Sequence, residues 1–288
     1  MTLQPIDVHH QAERVIGVYL LETEDGPALF DCGPTSAREG LLAGLAERGL
    51  ALQDVRHLLL SHIHLDHAGA AGVLVREHPA LQVHVSEIGA PHLADPSRLE
   101  RSARRLYGDS FDELWGELAP VPAASMHVVG GRVLGLETFP SPGHASHHVC
   151  YFDAAGTLYA GDAAGVRIEP GRHILPVTPP PDVDVEAWHR TLDEIERRGP
   201  ERLALIHFGL VDDPGDHLAR MRSELDTWTE RVGSGMTQED FEATARRDLV
   251  EAEGEETAAA YELAAPFWQS YVGLARYWEK RRGRAATG

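Results

Sequence analysis

Four short apolar runs in this 288-residue chain stop on a histidine or an aspartate where the pattern turns to loop. They are PALFD ending at Asp31, HLLLSH at His62, TLYAGD at Asp162 and LALIH at His207. His144, in the Pro142-Gly143 turn that follows RVLGLETF, has the same setting. Apolar runs of this length read as buried strands. Ligand-type side chains at their ends therefore sit where a rigid scaffold hands over to its loops, the usual place for chemistry. The chain is constrained to a sheet-based fold with a polar site at strand ends.

The densest of these ends is SHIHLDHAG, residues 61–69. Three histidines and a carboxylate so close together are awkward in a core and unnecessary on a surface. His62 and His64 are two apart, so an extended segment turns both imidazoles to one side. Asp66 and His67 stand at a helix start and can face a second point nearby. Imidazole and carboxylate donors without a thiolate suit Zn²⁺, and equally Fe²⁺ or Mn²⁺.

Between these points the pattern alternates. RVIGVYLLE (14–22) and PALFDCG (27–33) read as neighbouring strands joined at Asp25-Gly26, SAREGLLAGLAERG (36–49) as a helix, and DVRHLLLS (54–61) as a short buried strand. Asp66 is expected to cap a helix reaching about His78, with QVHVSE (82–87) the next strand. Residues 88–125 read as a helical insertion broken at Gly108. Strand patterning resumes at Met126 and leads to the stiff connector TPPPDVD (178–184), the helix VEAWHRTLDEIERRG and the strand RLALIHF (202–208). The expected organisation is an α/β domain over 1–209 and a C-terminal helical region over 210–288. Leu218, Met221, Leu225, Trp228 and Val232 form one apolar helical stripe. Tyr261, Phe267, Trp268, Tyr271, Tyr277 and Trp278 are expected to pack on the main domain, with a homodimer seam or a roof over a pocket as alternatives. RRGRAATG is expected to lack structure.

Composition narrows the function. The 26 basic and 45 acidic residues leave a formal charge of −19, which disfavours binding to a nucleic-acid backbone. No apolar run is long enough to span a bilayer. MTLQPIDVHHQAERV lacks the features of a signal peptide, and Cys32 and Cys150 form no disulfide framework, so a cytoplasmic location is expected.

The order HxHxDH (62–67), PGH (142–144), GD (161–162) and a strand-end histidine (207) resembles the metallo-β-lactamase-fold hydrolases, in their glyoxalase II-like and lactonase-like branches. The resemblance covers about residues 10–210 and implies a four-layer αββα sandwich with the site at one edge of two sheets, carrying the C-terminal helical appendage. It implies that His62, His64 and His144 bind one divalent ion, that Asp66, His67 and His207 bind a second, and that Asp162 bridges them. Asp31 matches a family aspartate that supports the ligand loops. Two such ions sharing a water bring its pKa toward ~7 and make a hydroxide nucleophile. Asp66 could hold that hydroxide and pass a proton to the leaving group.

Other candidates are weaker. In the family pattern a histidine often occupies the place of His148, which reads as a structural or supporting residue. His173 follows the bridging aspartate in GRHILP, and Tyr107 lies on the insertion, where related enzymes place substrate contacts. Cys32 has no assignable activating base. His9 and His10 have no partner pattern and are expected to be exposed. The resulting reading is a metallohydrolase of a small ester, thioester, lactone or related acyl compound. A phosphodiesterase with the same ions and a mononuclear-iron persulfide dioxygenase-like oxidoreductase are the alternatives.

Overall fold

A computed structural model describes residues 3–285, with side chains as far as Gly283. The first sheet has the order β1 (Ile6–Asp7), β2 (Gly17–Thr23), β3 (Gly26–Phe30), β4 (His57–Leu59), β5 (Gln82–Val85), β6 (Met126–Val128). β1 to β3 are antiparallel neighbours, and β3 to β6 run parallel. Parallel neighbours need crossovers. Helix α1 (Arg38–Glu47) lies between β3 and β4, and α2 (Leu65–Ala68) and α3 (Ala71–Glu77) lie between β4 and β5. The β5–β6 connection holds α4 (Ala90–Ala94), α5 (Ser97–Tyr107) and α6 (Phe111–Trp115), broken at Gly108, whose φ is +56°. All three residues of β4 are buried, as a parallel strand covered on both faces requires.

The second sheet is ordered β12-β11-β10-β9-β8-β7, from β7 (Arg132–Val133), β8 (Leu136–Pro140), β9 (Val149–Phe152), β10 (Thr157–Tyr159), β11 (Arg202–Leu205) and β12 (Gly209–Val211). Its one parallel pair, β10 with β11, is bridged by α7 (Val185–Arg198). Local chemistry sets the ends of that helix. The Asp184 side chain accepts from the Ala187 amide at 2.8 Å, and Gly199 closes the last turn at φ +62°.

Aromatic side chains join the two sheets. Tyr19 meets Tyr159 edge-on at 5.8 Å, and Phe30 lies 5.7 Å from Tyr151 and 5.4 Å from Tyr159. Two of these buried phenols find acceptors beyond their own sheet: Tyr19 donates to the Leu205 carbonyl at 2.9 Å and Tyr151 to the Leu60 carbonyl at 3.0 Å. The αββα sandwich expected from the sequence is the observed architecture, with the helices α8 (Pro214–Gly233), α9 (Gln238–Glu253), α10 (Glu255–Ala264) and α11 (Phe267–Ala285) added at the C-terminus.

The apolar stripe of α8 is buried, and Trp228 packs against Phe241 and Phe267 at 5.2 and 5.9 Å. The α11 helix also leans on the proline-rich connector. A Cβ at Gly273 would stand 1.9 Å from the Thr178 carbonyl oxygen, so only glycine allows the approach. Thr178 Oγ1 donates to the Ser270 carbonyl at 3.1 Å in the same contact. No helix among the described residues is long and apolar enough to cross a membrane.

Three local expectations need correction. Asp66 does not cap a helix: His64 holds the extended cap position, and Asp66 sits inside the first turn of α2 with its carboxylate turned to the site. The expected single helix to His78 is split into α2 and α3 around Gly69 and Ala70. The tail expected to lack structure is helical to Ala285; residues 286–288 lie outside the described part.

Candidate metal centre

The strand ends bring the seven ligand-type residues together. His62 follows β4, His64 and Asp66–His67 open α2, and His144 lies between β8 and β9. Asp162 occupies the short turn after β10, and His207 comes two residues after β11. Two backbone bonds tie the sheets at this edge, Val149 N to Ser61 O at 2.8 Å and Gly17 N to Ile206 O at 2.8 Å.

Nitrogens of three rings converge at one point: His62 Nε2, His64 Nδ1 and His144 Nε2 are 2.8 to 3.2 Å apart. His67, His207 and Asp66 form a second group, with Asp66 Oδ2 3.7 Å from His67 Nε2 and 3.4 Å from His207 Nε2. Asp162 stands between the groups. Its Oδ2 lies 3.3 Å from His144 Nε2 and 3.9 Å from His62 Nε2, while Oδ1 lies 3.4 Å from His67 Nε2 and 3.7 Å from His207 Nε2.

These atoms suit divalent ions. Among the described residues, His67 Nε2, His207 Nε2 and Asp162 Oδ1 are buried with no hydrogen-bond partner, a costly state for polar atoms unless something else occupies the space between them. The outward ring nitrogens are already committed. His67 Nδ1 donates to Asp31 Oδ2 at 2.8 Å, His144 Nδ1 to the Val177 carbonyl at 2.6 Å, and His207 Nδ1 to the Val15 carbonyl at 2.6 Å. Those bonds hold one proton on each Nδ1, so that the neutral form of each ring turns its Nε2 lone pair inward. Groups of three donors, each within 4.8 Å of one another, occur as His62/His64/His144, His62/His67/Asp162 and Asp66/His67/His207.

Electrostatics divide the histidines. Burial and the neighbouring rings hold His62 and His64 well below the usual histidine range. Burial lowers His144 as well, against the pull of Asp162. For His67 and His207 burial also opposes protonation, but Asp162 and Asp66 outweigh it and raise both. Asp162 and Asp66 are correspondingly low: burial alone would raise them, and the facing imidazoliums reverse the sign. A histidine must lose its proton to ligate. Metal loading of the ion-free protein at pH 7 is therefore expected to release protons, read by calorimetry in buffers of different ionisation enthalpy. Heats independent of buffer would contradict it.

Asp31, fully buried at φ +58°, supports the ligand loop. It accepts from Ser61 N and Ser61 Oγ, both at 2.7 Å, as well as from His67. His148 stands behind His62, with Nδ1 against Ser141 Oγ at 2.7 Å. Gly161, at φ +49°, leaves room for it, since a Cβ there would lie 2.8 Å from His148 Nε2 and from Ser61 Cβ. Cys32 is buried, and burial with the adjacent Asp31 pushes its thiol far up, away from thiolate chemistry.

A cavity of about 810 Å³ opens over the cluster. Tyr107 lines it, donating to Gln269 Oε1 at 3.3 Å and lying edge-on to Trp115 and Trp268, so the insertion and α11 meet there. His173 does not line it. The His173 amide donates to Glu253 and its carbonyl accepts from Tyr261, which ties its backbone to α9 and α10. His10, expected to be exposed, is only 5% accessible and lines the cavity, stacked on Trp115 at 5.5 Å. No local pattern marks it; its partner is 105 residues away in sequence (115 − 10).

Comparisons with known proteins identify the fold family. The profile of the metallo-beta-lactamase superfamily matches residues 14–207. The uncharacterised protein YobT of Bacillus subtilis is 28% identical over 156 residues, 53% of this chain and 63% of YobT, so less than two thirds of that relative is spanned. The metallo-beta-lactamase fold-containing protein ST1585 of Sulfurisphaera tokodaii is 26% identical over 186 residues, 60% of this chain and 69% of its own. Its crystal structure superposes with a TM-score of 0.64 at 19% identity, covering 96% of each chain. TTHA1623, solved in a di-iron-bound form, gives a TM-score of 0.54 at 25% identity over 71% of this chain and 91% of its own. The profile covers well over half of the sequence and strands β2 to β11 of the two sheets, and the chain belongs to the metallo-β-lactamase superfamily.

Proposed function

We propose that this protein is a binuclear metal-dependent hydrolase of a small ester, thioester, lactone or related acyl compound, with His62, His64 and His144 on one ion, Asp66, His67 and His207 on the other, and Asp162 between them. The observation that carries the reading is the Asp162 carboxylate, one oxygen turned to each histidine group, with Oδ1 and the facing Nε2 atoms of His67 and His207 lacking partners. When bound, such ions polarise the oxygen under attack and ionise a water near neutral pH. Zn²⁺ is the first choice for these donors, with Fe²⁺ or Mn²⁺ also accepted by them.

The chain's own groups supply the rest. Asp66 and Asp162 both border the cavity, but Asp66, held well below the usual carboxylate range by the facing His67 and His207, keeps 22% side-chain exposure against 2% for Asp162. It is thus the carboxylate able to exchange a proton with a leaving group. Ile63, Leu65, Leu106, Trp115 and Trp268 make much of the wall apolar, which limits water and suits an acyl group. That wall and the −19 charge disfavour a phosphodiester polymer.

Metal analysis of protein purified without added metal, paired with chromogenic esters, thioesters, lactones and bis-aryl phosphates, tests the reading. Two equivalents with acyl turnover support it. Phosphate turnover far above acyl turnover, or one iron with oxygen consumption on persulfides, replaces it. Within the same assay, Asp66→Asn is expected to lower kcat by roughly 10²- to 10⁴-fold, the range for losing a positioned proton carrier. Unchanged turnover with the wild-type metal content would remove Asp66 from that role.

A further inference from the structure

The loop between β1 and β2 is built around a residue that the metal centre does not use. Three non-glycine residues in it adopt the left-handed conformation: His9 at φ 53°, Gln11 at 62° and Arg14 at 62°. Such backbone persists only where surrounding contacts hold it. Here Asp7 accepts from the His9 amide at 2.9 Å and from the Arg14 amide at 2.7 Å, and the Arg14 guanidinium donates to the Glu169 carbonyl at 2.7 Å. The Val15 carbonyl, at the end of the same loop, receives the His207 Nδ1 proton. The loop is thereby tied to the metal centre at one end and to the first sheet at the other.

What this frame presents is His10. The ring is 95% buried (5% accessible), borders the cavity that opens over the ligands, and stacks on Trp115 with planes 22° apart. Gln11 Nε2 lies 3.3 Å from His10 Nε2. With the amide donating there, the His10 proton sits on Nδ1, and that nitrogen has no hydrogen-bond partner among the described residues. Burial lowers its basicity, so the ring is neutral near pH 7 and offers one N–H. Asp66 and His207 are close enough for their charges to be felt at the ring. A residue serving packing alone needs only a flat face on Trp115, which phenylalanine would supply better. An imidazole whose N–H opens into a mostly apolar cavity is placed to donate to a polar group of a molecule bound there.

We propose that His10 and Gln11 form a hydrogen-bonding subsite for a carbonyl-type oxygen of the substrate, beside the metal ligands, with the apolar part of the molecule lying along Trp115. The assignment rests on the acyl-hydrolase reading and adds to it a substrate with an uncharged oxygen acceptor and an apolar chain. His10 touches substrate rather than metal, so its loss acts on substrate affinity and orientation and leaves the ions in place.

The test uses zinc-loaded full-length protein, the variants His10→Phe and His10→Asn, and two probes. 4-Nitrophenyl hexanoate reports turnover, and N-hexylacetamide, an unreactive carbonyl acceptor with a similar chain, reports binding by calorimetry. His10→Phe keeps the stacking on Trp115 and removes the donor. It is expected to lower kcat/KM and weaken N-hexylacetamide binding by about tenfold each, as for one lost hydrogen bond. Metal content and melting temperature should stay at wild-type values. His10→Asn, which returns an N–H near Nδ1, should recover most of both losses. Values within twofold of wild type for His10→Phe would overturn the subsite while leaving the hydrolase reading intact, as would a loss that His10→Asn fails to recover. Failure of the wild type to bind N-hexylacetamide would overturn it too. Binding that depends on His10 in a protein that turns over no ester would keep the subsite and reject the hydrolase.

Discussion

Asp162→Ala is expected to hold at most about one equivalent of metal where the wild type holds about two, and to lose roughly 10³-fold or more in acyl hydrolysis. Asp162 lies at 3.3 to 3.9 Å from ring nitrogens of both histidine groups, so its removal takes a donor from each at once. It is also the first charge that raises His67 and His207, and both are expected to lose basicity with it. Metal emission spectroscopy, initial rates and thermal melting on the same preparation separate ligand loss from misfolding. A folded variant with both ions and a rate within tenfold of wild type would show that the carboxylate is not shared.

The second large effect is expected at Asp31, which does not line the cavity over the cluster. Asp31→Ala takes the acceptor from three interior donors, Ser61 N, Ser61 Oγ and His67 Nδ1, leaving the hydroxyl only His62 Nδ1 at 2.9 Å and the His67 ring only that hydroxyl at 3.3 Å. The orphaned Ser61 amide alone costs about 1 to 3 kcal/mol of folding stability. A left-handed alanine at φ +58° adds about 1–2 kcal/mol. Asp31→Asn tolerates that backbone and keeps one acceptor oxygen, while its NH2 cannot accept from the donors that the second carboxylate oxygen serves, so the charge and one acceptor beside Ser61 and His67 are lost together. It is expected to fold and to bind metal ~10- to 100-fold more weakly, the usual cost of an altered supporting partner. Denaturant titration of the ion-free variants and competition with a chelator measure the two effects. Wild-type affinity in Asp31→Asn would mean that the carboxylate charge does not act through His67.

The sequence carried the architecture because the strands are short, apolar and punctuated, and because helices fill the gaps that parallel neighbours demand. The grouping of His62, His64, His144, Asp162 and His207 was legible for a related reason: each stands at a strand end or in the turn between strands. What stayed hidden was contact at a distance. The acceptors for His144 and His207 are the carbonyls of Val177 and Val15, and a backbone oxygen leaves no mark on residue identity. His10 owes its burial to Trp115, a pairing no local period announces. The capping role expected for Asp66 failed because the extended backbone of His64 starts the helix, which frees the carboxylate to face the ligands. The connector 178–184 read as stiff, but nothing in its composition told that a helix from the far end of the chain rests on it.

That contact has a consequence for anyone who would rebuild the molecule. Ser270 and Gly273 press on Thr178, and the preceding carbonyl, that of Val177, steers a ligand imidazole. Grafting a different C-terminal cap, or trimming this one, is therefore expected to shift the His144 imidazole, and with it whatever the proposed metal centre holds, unless the proline connector travels with the cap.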